Sequence, residues 1–164
     1  MSRSKLCAVL ILVSFVLMVA MIDGAVAAEK MKFHGTSVTT NSQTMEVGDE
    51  EGHMLIIAEA KQIYINQETG VNATSISKSL MDINIKTGRG SLKGYGVTTY
   101  PNGDKIFRMH EGKPVGKGHW KGTYSYIRGT GKYEGVKGKG TWDSYSLAQG
   151  MSYMEIEGEQ EIPK

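Results

Sequence analysis

The chain has 164 residues, a formal net charge of +2 and one cysteine, Cys7. A nearly neutral chain of this length is suited to one ordinary domain, and it lacks the basic excess that a nucleic acid or an anionic membrane would require of its partner. A single cysteine also excludes an internal disulfide framework.

Residues 1–28 have the pattern of an export signal. Basic residues precede an apolar run over 6–21, and small residues follow up to Ala28. This pattern predicts a signal peptide that is cleaved after Ala27 or Ala28; a permanent membrane anchor is the alternative, because the apolar run is nearly long enough to span a bilayer. We therefore expect an exported protein, periplasmic or secreted, with residues 29–164 as its single domain and no stable membrane span after cleavage.

The first half of this domain alternates apolar and polar residues, in segments separated by Gly, Asn, Asp and Ser. Alternation of this kind predicts β-strands rather than helices. The predicted strands cover 31–40, 53–66 and 80–86, with a polar connection over 41–52 and a turn over 67–73.

The second half is punctuated by five Gly-x-Gly units, between Gly88 and Gly140. Glycine weakens strands and marks turns or close backbone approach, so the densest stretch, 129–142, is interpreted as two short strands around a turn near Gly138. About eight short strands with short connections predict an all-β fold, a closed antiparallel barrel, because closure removes exposed strand edges. The remaining predicted strands cover 91–100, 104–110, 119–127, 141–147 and 151–161.

Cofactor and metal motifs are missing from the sequence. No Gly-x-Gly unit has a third glycine three residues on, no Gly-Lys pair is followed by Ser or Thr, and no predicted helix follows, although a phosphate-binding loop needs such features. The four histidines lack the close spacing of metal ligands, and the mature chain has no thiolate. We expect no cofactor and no metal, the alternative being histidines that converge from separate strands.

Charged and aromatic residues on apolar strand faces are the candidates for a ligand site. Alternation places Glu59 among apolar residues on one strand and Arg108 beside Ile106 on another. A charge in such surroundings needs a partner, which is either a ligand or, in the alternative reading, another structural group or solvent. The predicted ligand-binding residues are His53, Glu59, Arg108, His110, Trp120 and Tyr124.

The stretch GTGKYEGVKGKGTW, 129–142, resembles the glycine-rich signature of the allene oxide cyclase and dirigent-type barrels, with Arg128 in place of its first glycine. Together with the Asn-Gly-Asp turn at 102–104, it is similar to bacterial exported relatives of that superfamily. The resemblance covers about 94–157 and implies an eight-stranded, calycin-like barrel with an apolar cavity. The catalytic residues of the cyclases lie in earlier strands that do not align, so none is carried over.

A second, weaker resemblance is to MORN repeats, in GYGVTTYPNGDKI (94–106) and KYEGVKGKGT (132–141). Such repeats act as stacked arrays, and the segment between these two breaks the period.

The function expected from the sequence is the binding of a small apolar or aromatic molecule inside the barrel. One alternative is a cofactor-free isomerase or cyclase that uses Glu59 and Arg108, with His53 and His110 as proton carriers. The other is a structural or interaction barrel whose interior is filled by side chains.

Overall fold

The computed structural model of the protein describes residues 28–163, so residues 1–27 of the predicted signal peptide lie outside the described part. Eight strands and one short 3-10 helix, Gly131–Tyr133, make up the fold. The strands are β1 (Glu29–Glu46), β2 (His53–Asn66), β3 (Asn72–Asn84), β4 (Arg89–Thr99), β5 (Lys105–Gly116), β6 (His119–Gly129), β7 (Lys137–Ala148) and β8 (Met151–Glu161).

Each strand pairs antiparallel with its neighbours in the sequence, and β1 also pairs with β8, which closes the barrel. The prediction of an all-β, closed antiparallel barrel of about eight strands is therefore confirmed. The two segments that resemble MORN repeats lie in β4, β5 and the β6–β7 connection with β7, within this one barrel, so they do not form a stacked array. No helix in the described range is long and apolar enough to cross a membrane.

The predicted bounds hold for β2 and β8 and differ by one or two residues for β4 and β6. Strand β5 runs six residues past the predicted end at 110, and β7 begins four residues before the predicted start at 141. The bounds of β1 and β3 also differ. Strand β1 continues six residues past Thr40, through a bulge between Thr39 and Asn41, because it keeps pairing with β2 as far as Glu46. Strand β3 begins at Asn72, eight residues before the predicted start. Its first half has an inverted pattern, with serines facing the interior and Ile76 outside, so apolar alternation did not reveal it.

The glycines of the second half mark turns only in part: Gly88 and Gly118 lie in turns at positive φ, as predicted, whereas others lie inside strands. Gly138 lies inside β7 and forms no turn there. A Cβ atom at Gly138 would come within 2.5 Å of the Tyr126 ring, and one at Gly96 within 2.7 Å of the Arg108 guanidinium carbon. Most strand glycines thus face the interior, where they provide the space that a large side chain of an adjacent strand occupies.

One end of the barrel is closed by a cluster of apolar and aromatic residues. The connection after β6, which contains the 3-10 helix, buries Tyr133 and Val136 against Ile106. The Tyr100 and Tyr133 rings stack there with centroids 4.4 Å apart. At the opposite end, the interior reaches the exposed β7–β8 turn, where Met151 is 43% exposed. The barrel is therefore closed at one end and open at the other, which we call the mouth.

Candidate functional site

The barrel encloses a cavity of about 280 Å³ that extends from the closed end to the mouth. Side chains do not fill the whole interior of the barrel, and the remaining space is of the kind that holds a single small ligand in an eight-stranded barrel. Aromatic and sulfur-containing residues form one part of the wall, and small residues such as Ala60, Ser77 and Ser144 form another. Small side chains on β2, β3 and β7 are the reason that the space remains open.

Arg108 lies in this cavity with its guanidinium group above Gly96. One terminal nitrogen, Nη1, donates to Ser75 Oγ at 3.0 Å and to Thr98 Oγ1 at 2.5 Å. The other, Nη2, donates to Gln62 Oε1 at 3.1 Å and to Tyr64 Oη at 3.4 Å. Four neutral acceptors from three strands therefore fix the orientation of the cation without neutralising its charge.

His110 and Tyr124 provide further polar atoms in the same cavity. His110 Nε2 is 2.9 Å from Ser79 Oγ, whereas its Nδ1 is buried without a hydrogen-bond partner among the described residues. Burial, reinforced by the charge of Arg108, lowers the pKa of His110 to about 4, so the ring is neutral at neutral pH. The hydroxyl of Tyr124 is likewise buried without a partner, and burial raises its pKa to about 12.

Four of the six predicted site residues line the cavity: Arg108, His110, Trp120 and Tyr124. The other two, His53 and Glu59, lie on the outer face of β2 and not in the cavity wall. Strand alternation grouped them correctly, but it could not determine which face of the strand points inward. The predicted catalytic pairing of Glu59 with Arg108 is therefore not formed.

The outer-face residues make local ion pairs instead. Glu59 accepts a hydrogen bond from Thr40 Oγ1 at 3.2 Å and lies 3.6 Å from Lys78 Nζ. The two ring nitrogens of His53 lie 2.6 Å from Asp49 Oδ1 and 2.7 Å from Asp82 Oδ1. The hydrogen bonds to Asp82 and Asp49 raise the pKa of His53. Within residues 28–163, no group of three His, Cys, Asp or Glu side chains is arranged to hold a metal ion.

Sequence reasoning missed the polar residues that surround Arg108. Gln62 is 7% exposed and Ser75 only 3%. Polar side chains are rarely this buried unless they belong to a hydrogen-bond network, as these two do through Arg108. The available signal was the alternation of Ser75, Ser77 and Ser79 with bulkier residues in β3. Alternation normally places the apolar set inside, and only a polar cavity reverses it.

Comparisons with known proteins identify the fold. No protein-family model matches the chain, and no curated protein sequence is similar to it. The chain is similar to the pterocarpan synthase dirigent protein PsPTS1, with 8% identity, a TM-score of 0.53, and 84% of this chain and 97% of that chain covered. For the pterocarpan synthase dirigent protein GePTS1 the identity is 10%, the TM-score 0.52, and the coverage 84% and 92%.

A third similar structure is a conserved protein of unknown function, RPA1785, from Rhodopseudomonas palustris. It shares 10% identity with a TM-score of 0.55, and 81% of this chain and 98% of that chain are covered. At these identities the comparison concerns the fold alone, and it confirms at that level the resemblance seen in the glycine-rich stretch. The chain has the fold of a dirigent-type β-barrel.

Proposed function

We propose that this protein binds a small molecule with an apolar or aromatic body in the cavity of its barrel. The observation that carries the proposal is the cavity itself: about 280 Å³ of space, closed at one end and bordered by Trp120, Tyr124 and Trp142. Ligand sites are concave, mostly apolar and provided with a few polar groups that set orientation, and this volume is near the lower end of their usual range. His110 Nδ1 and the Tyr124 hydroxyl, which have no hydrogen-bond partner within residues 28–163, are such groups.

The distribution of small residues over the barrel interior supports the same proposal. In a barrel with a filled interior, small residues on one strand are matched by large ones opposite, as Gly122 is matched by Trp142. The small residues on β2 and β3, Ala60 and Ser77, line open space instead. Empty space beside aromatic walls forfeits dispersion contacts, which a ligand would restore.

A neutral fluorescent dye tests the proposal directly. Prodan, an uncharged naphthalene derivative, should bind the purified mature protein with a blue shift and enhanced emission, and native mass spectrometry should show one dye per barrel. Ala60→Phe places a ring in the cavity and should weaken dye binding at least ten-fold. The matched control is Lys61→Phe, in the next position of the same strand, which is exposed.

Two results would contradict the proposal. One is the absence of any retained ligand or dye binding by the wild-type protein. The other is equal loss of dye binding in Ala60→Phe and Lys61→Phe, which would place the dye on the outer surface. In either case a structural or interaction role becomes the better account.

We also propose that the barrel functions after export, with cleavage after Ala27 or Ala28. The pattern of residues 1–28 supports this, since a basic start, an apolar run and small residues are what a signal peptidase substrate carries. Mass spectrometry of the protein from the exported fraction should give a chain that begins at Ala28 or Glu29. An intact chain that begins at Met1 in the membrane fraction would contradict cleavage.

A further inference from the structure

Arg108 is the one ionised side chain among the described residues that line the cavity at neutral pH. Those residues include no Asp, Glu or Lys, and the pKa of His110, lowered to about 4, keeps its ring neutral. An arginine stays protonated under all ordinary conditions. The interior therefore holds one positive charge that no carboxylate of the described chain balances.

The surroundings of Arg108 fix the charge in place at a cost. Arg108 is half-buried, and moving an unpaired charge even partly out of water is unfavourable, so proteins generally pair such a group or solvate it. Here the guanidinium has four neutral acceptors, including Gln62 Oε1 and Thr98 Oγ1, so its geometry is fixed while its charge remains available. Gly96 beneath it leaves the necessary space, because any larger residue would displace the group.

A hydroxyl group beside the cation adds a donor for an anion. Thr98 lines the cavity and accepts a hydrogen bond from Nη1 through its hydroxyl oxygen, which leaves its hydroxyl proton free to donate to a ligand. Ser75 accepts from Nη1 in the same way but is not part of the cavity wall. The four terminal N–H groups of Arg108 are used, so its Nε–H and the Thr98 hydroxyl are the donors left beside the positive charge, and a carboxylate can accept one hydrogen bond from each.

From these contacts we propose that the ligand is a small aromatic monocarboxylate, whose carboxylate binds at Arg108 and Thr98 and whose ring lies against the aromatic wall. This inference rests on the proposed ligand-binding function and adds the chemical class. One anionic charge balances Arg108, whereas a dianionic phosphate would leave one charge unbalanced in a cavity with no second cation among its described residues. The wall beyond Arg108, with Trp120, Tyr124 and Trp142, suits a flat ring.

The test compares isosteric ligands that differ in charge. The probes are 2-naphthoate, 2-naphthamide and 2-naphthyl phosphate, and isothermal titration calorimetry at pH 7 gives each affinity for the wild-type protein. We expect 2-naphthoate to bind at least ten-fold more tightly than the neutral amide and more tightly than the phosphate. This comparison needs no variant and so does not depend on how a substitution affects folding.

Two substitutions then assign the preference to one residue. Arg108→Gln should reduce the affinity for 2-naphthoate at least ten-fold and change that for 2-naphthamide less than three-fold. Arg128→Gln is the matched control, because this arginine is exposed and its guanidinium carbon lies 3.8 Å from the centre of the Phe107 ring on the outer face. It should leave both affinities unchanged.

The outcomes separate this inference from the proposed function. Equal affinity for the acid and the amide, or tighter binding of the phosphate, overturns the monocarboxylate and leaves a ligand-binding cavity intact. A preference for the acid that survives in Arg108→Gln also overturns it, since the charge would be recognised elsewhere. If none of the three probes binds and prodan does not bind either, the proposed function fails and this inference fails with it.

Discussion

Replacing Gly122 with alanine should test whether interior glycines hold the barrel together. Gly122 lies on β6, and a Cβ atom there would overlap both the indole ring of Trp142 and the carbonyl oxygen of Glu111. The ring can rotate only at the expense of its hydrogen bond from Nε1 to the carbonyl oxygen of Thr123, 3.2 Å long, and the carbonyl belongs to a paired strand. Moving either the Trp142 ring or the Glu111 carbonyl group therefore costs stability.

The magnitude follows from two opposing effects. Overpacking a well-filled site costs about 1–3 kcal/mol, and a backbone clash puts this site at the upper end. Loss of glycine's flexibility in the unfolded chain offsets about 0.4–1 kcal/mol. We expect Gly122→Ala to lower the free energy of unfolding by about 2–2.6 kcal/mol, which for a domain of this size lowers Tm by roughly 10 °C.

The assay is urea denaturation followed by far-UV circular dichroism, with Gly116→Ala as the matched control. Gly116 is the last residue of β5, and no described atom lies within 4 Å of a Cβ built there, so the stability of Gly116→Ala should equal that of the wild type or be slightly higher. Adding Trp142→Leu to Gly122→Ala should recover part of the loss, because the two side chains compete for one space. A Gly122→Ala variant within about 0.5 kcal/mol of wild type would refute the reasoning.

Three further outcomes follow from single residues. Ile106→Ala should cost about 2–5 kcal/mol of unfolding free energy in urea denaturation, because Ile106 is 1% exposed in the apolar cluster at the closed end, and a loss under 1 kcal/mol would contradict that packing. Because the pKa of His110 is lowered to about 4, the unfolded chain binds a proton at pH values where the folded chain does not, and the free energy of unfolding should fall as pH drops from about 6.5 towards about 4. His110→Gln should flatten this pH dependence in urea denaturation, and an unchanged pH dependence in the variant would contradict the prediction. An NMR titration should show that the pKa of His53 is raised, and Asp82→Asn should lower it because it removes the hydrogen-bonded carboxylate. A pKa at or below 6.5 for His53 in the wild-type protein would contradict this prediction.

The sequence predicted the fold well because barrel closure depends on simple patterns. Strands β2 and β8 were delimited to the residue. Eight alternating segments with short turns leave few other ways to satisfy strand edges. The turn predicted at Gly138 was wrong because glycine density reports missing side chains as readily as turns.

The candidate site was predicted only in part, for a geometric reason. Alternation has a period of two, so it sorted Arg108 with His110, and Glu59 with His53, but left open which set faced the cavity. The partners of Arg108 are also distant in sequence: Gln62 lies 46 residues away and Ser75 lies 33 residues away. Only the closed pairing of β2 through β5 brings them together, and no local pattern records it.

The closed end of the barrel has a kinetic consequence. With the Tyr133 cluster sealing one end, entry and departure share a single route through the mouth. A second molecule cannot displace a bound one from behind, as it could in an open tube. Ligand exchange should thus be dissociative, so that the first ligand leaves before a second one enters. In a chase experiment, the release rate of the first ligand should not depend on the competitor concentration.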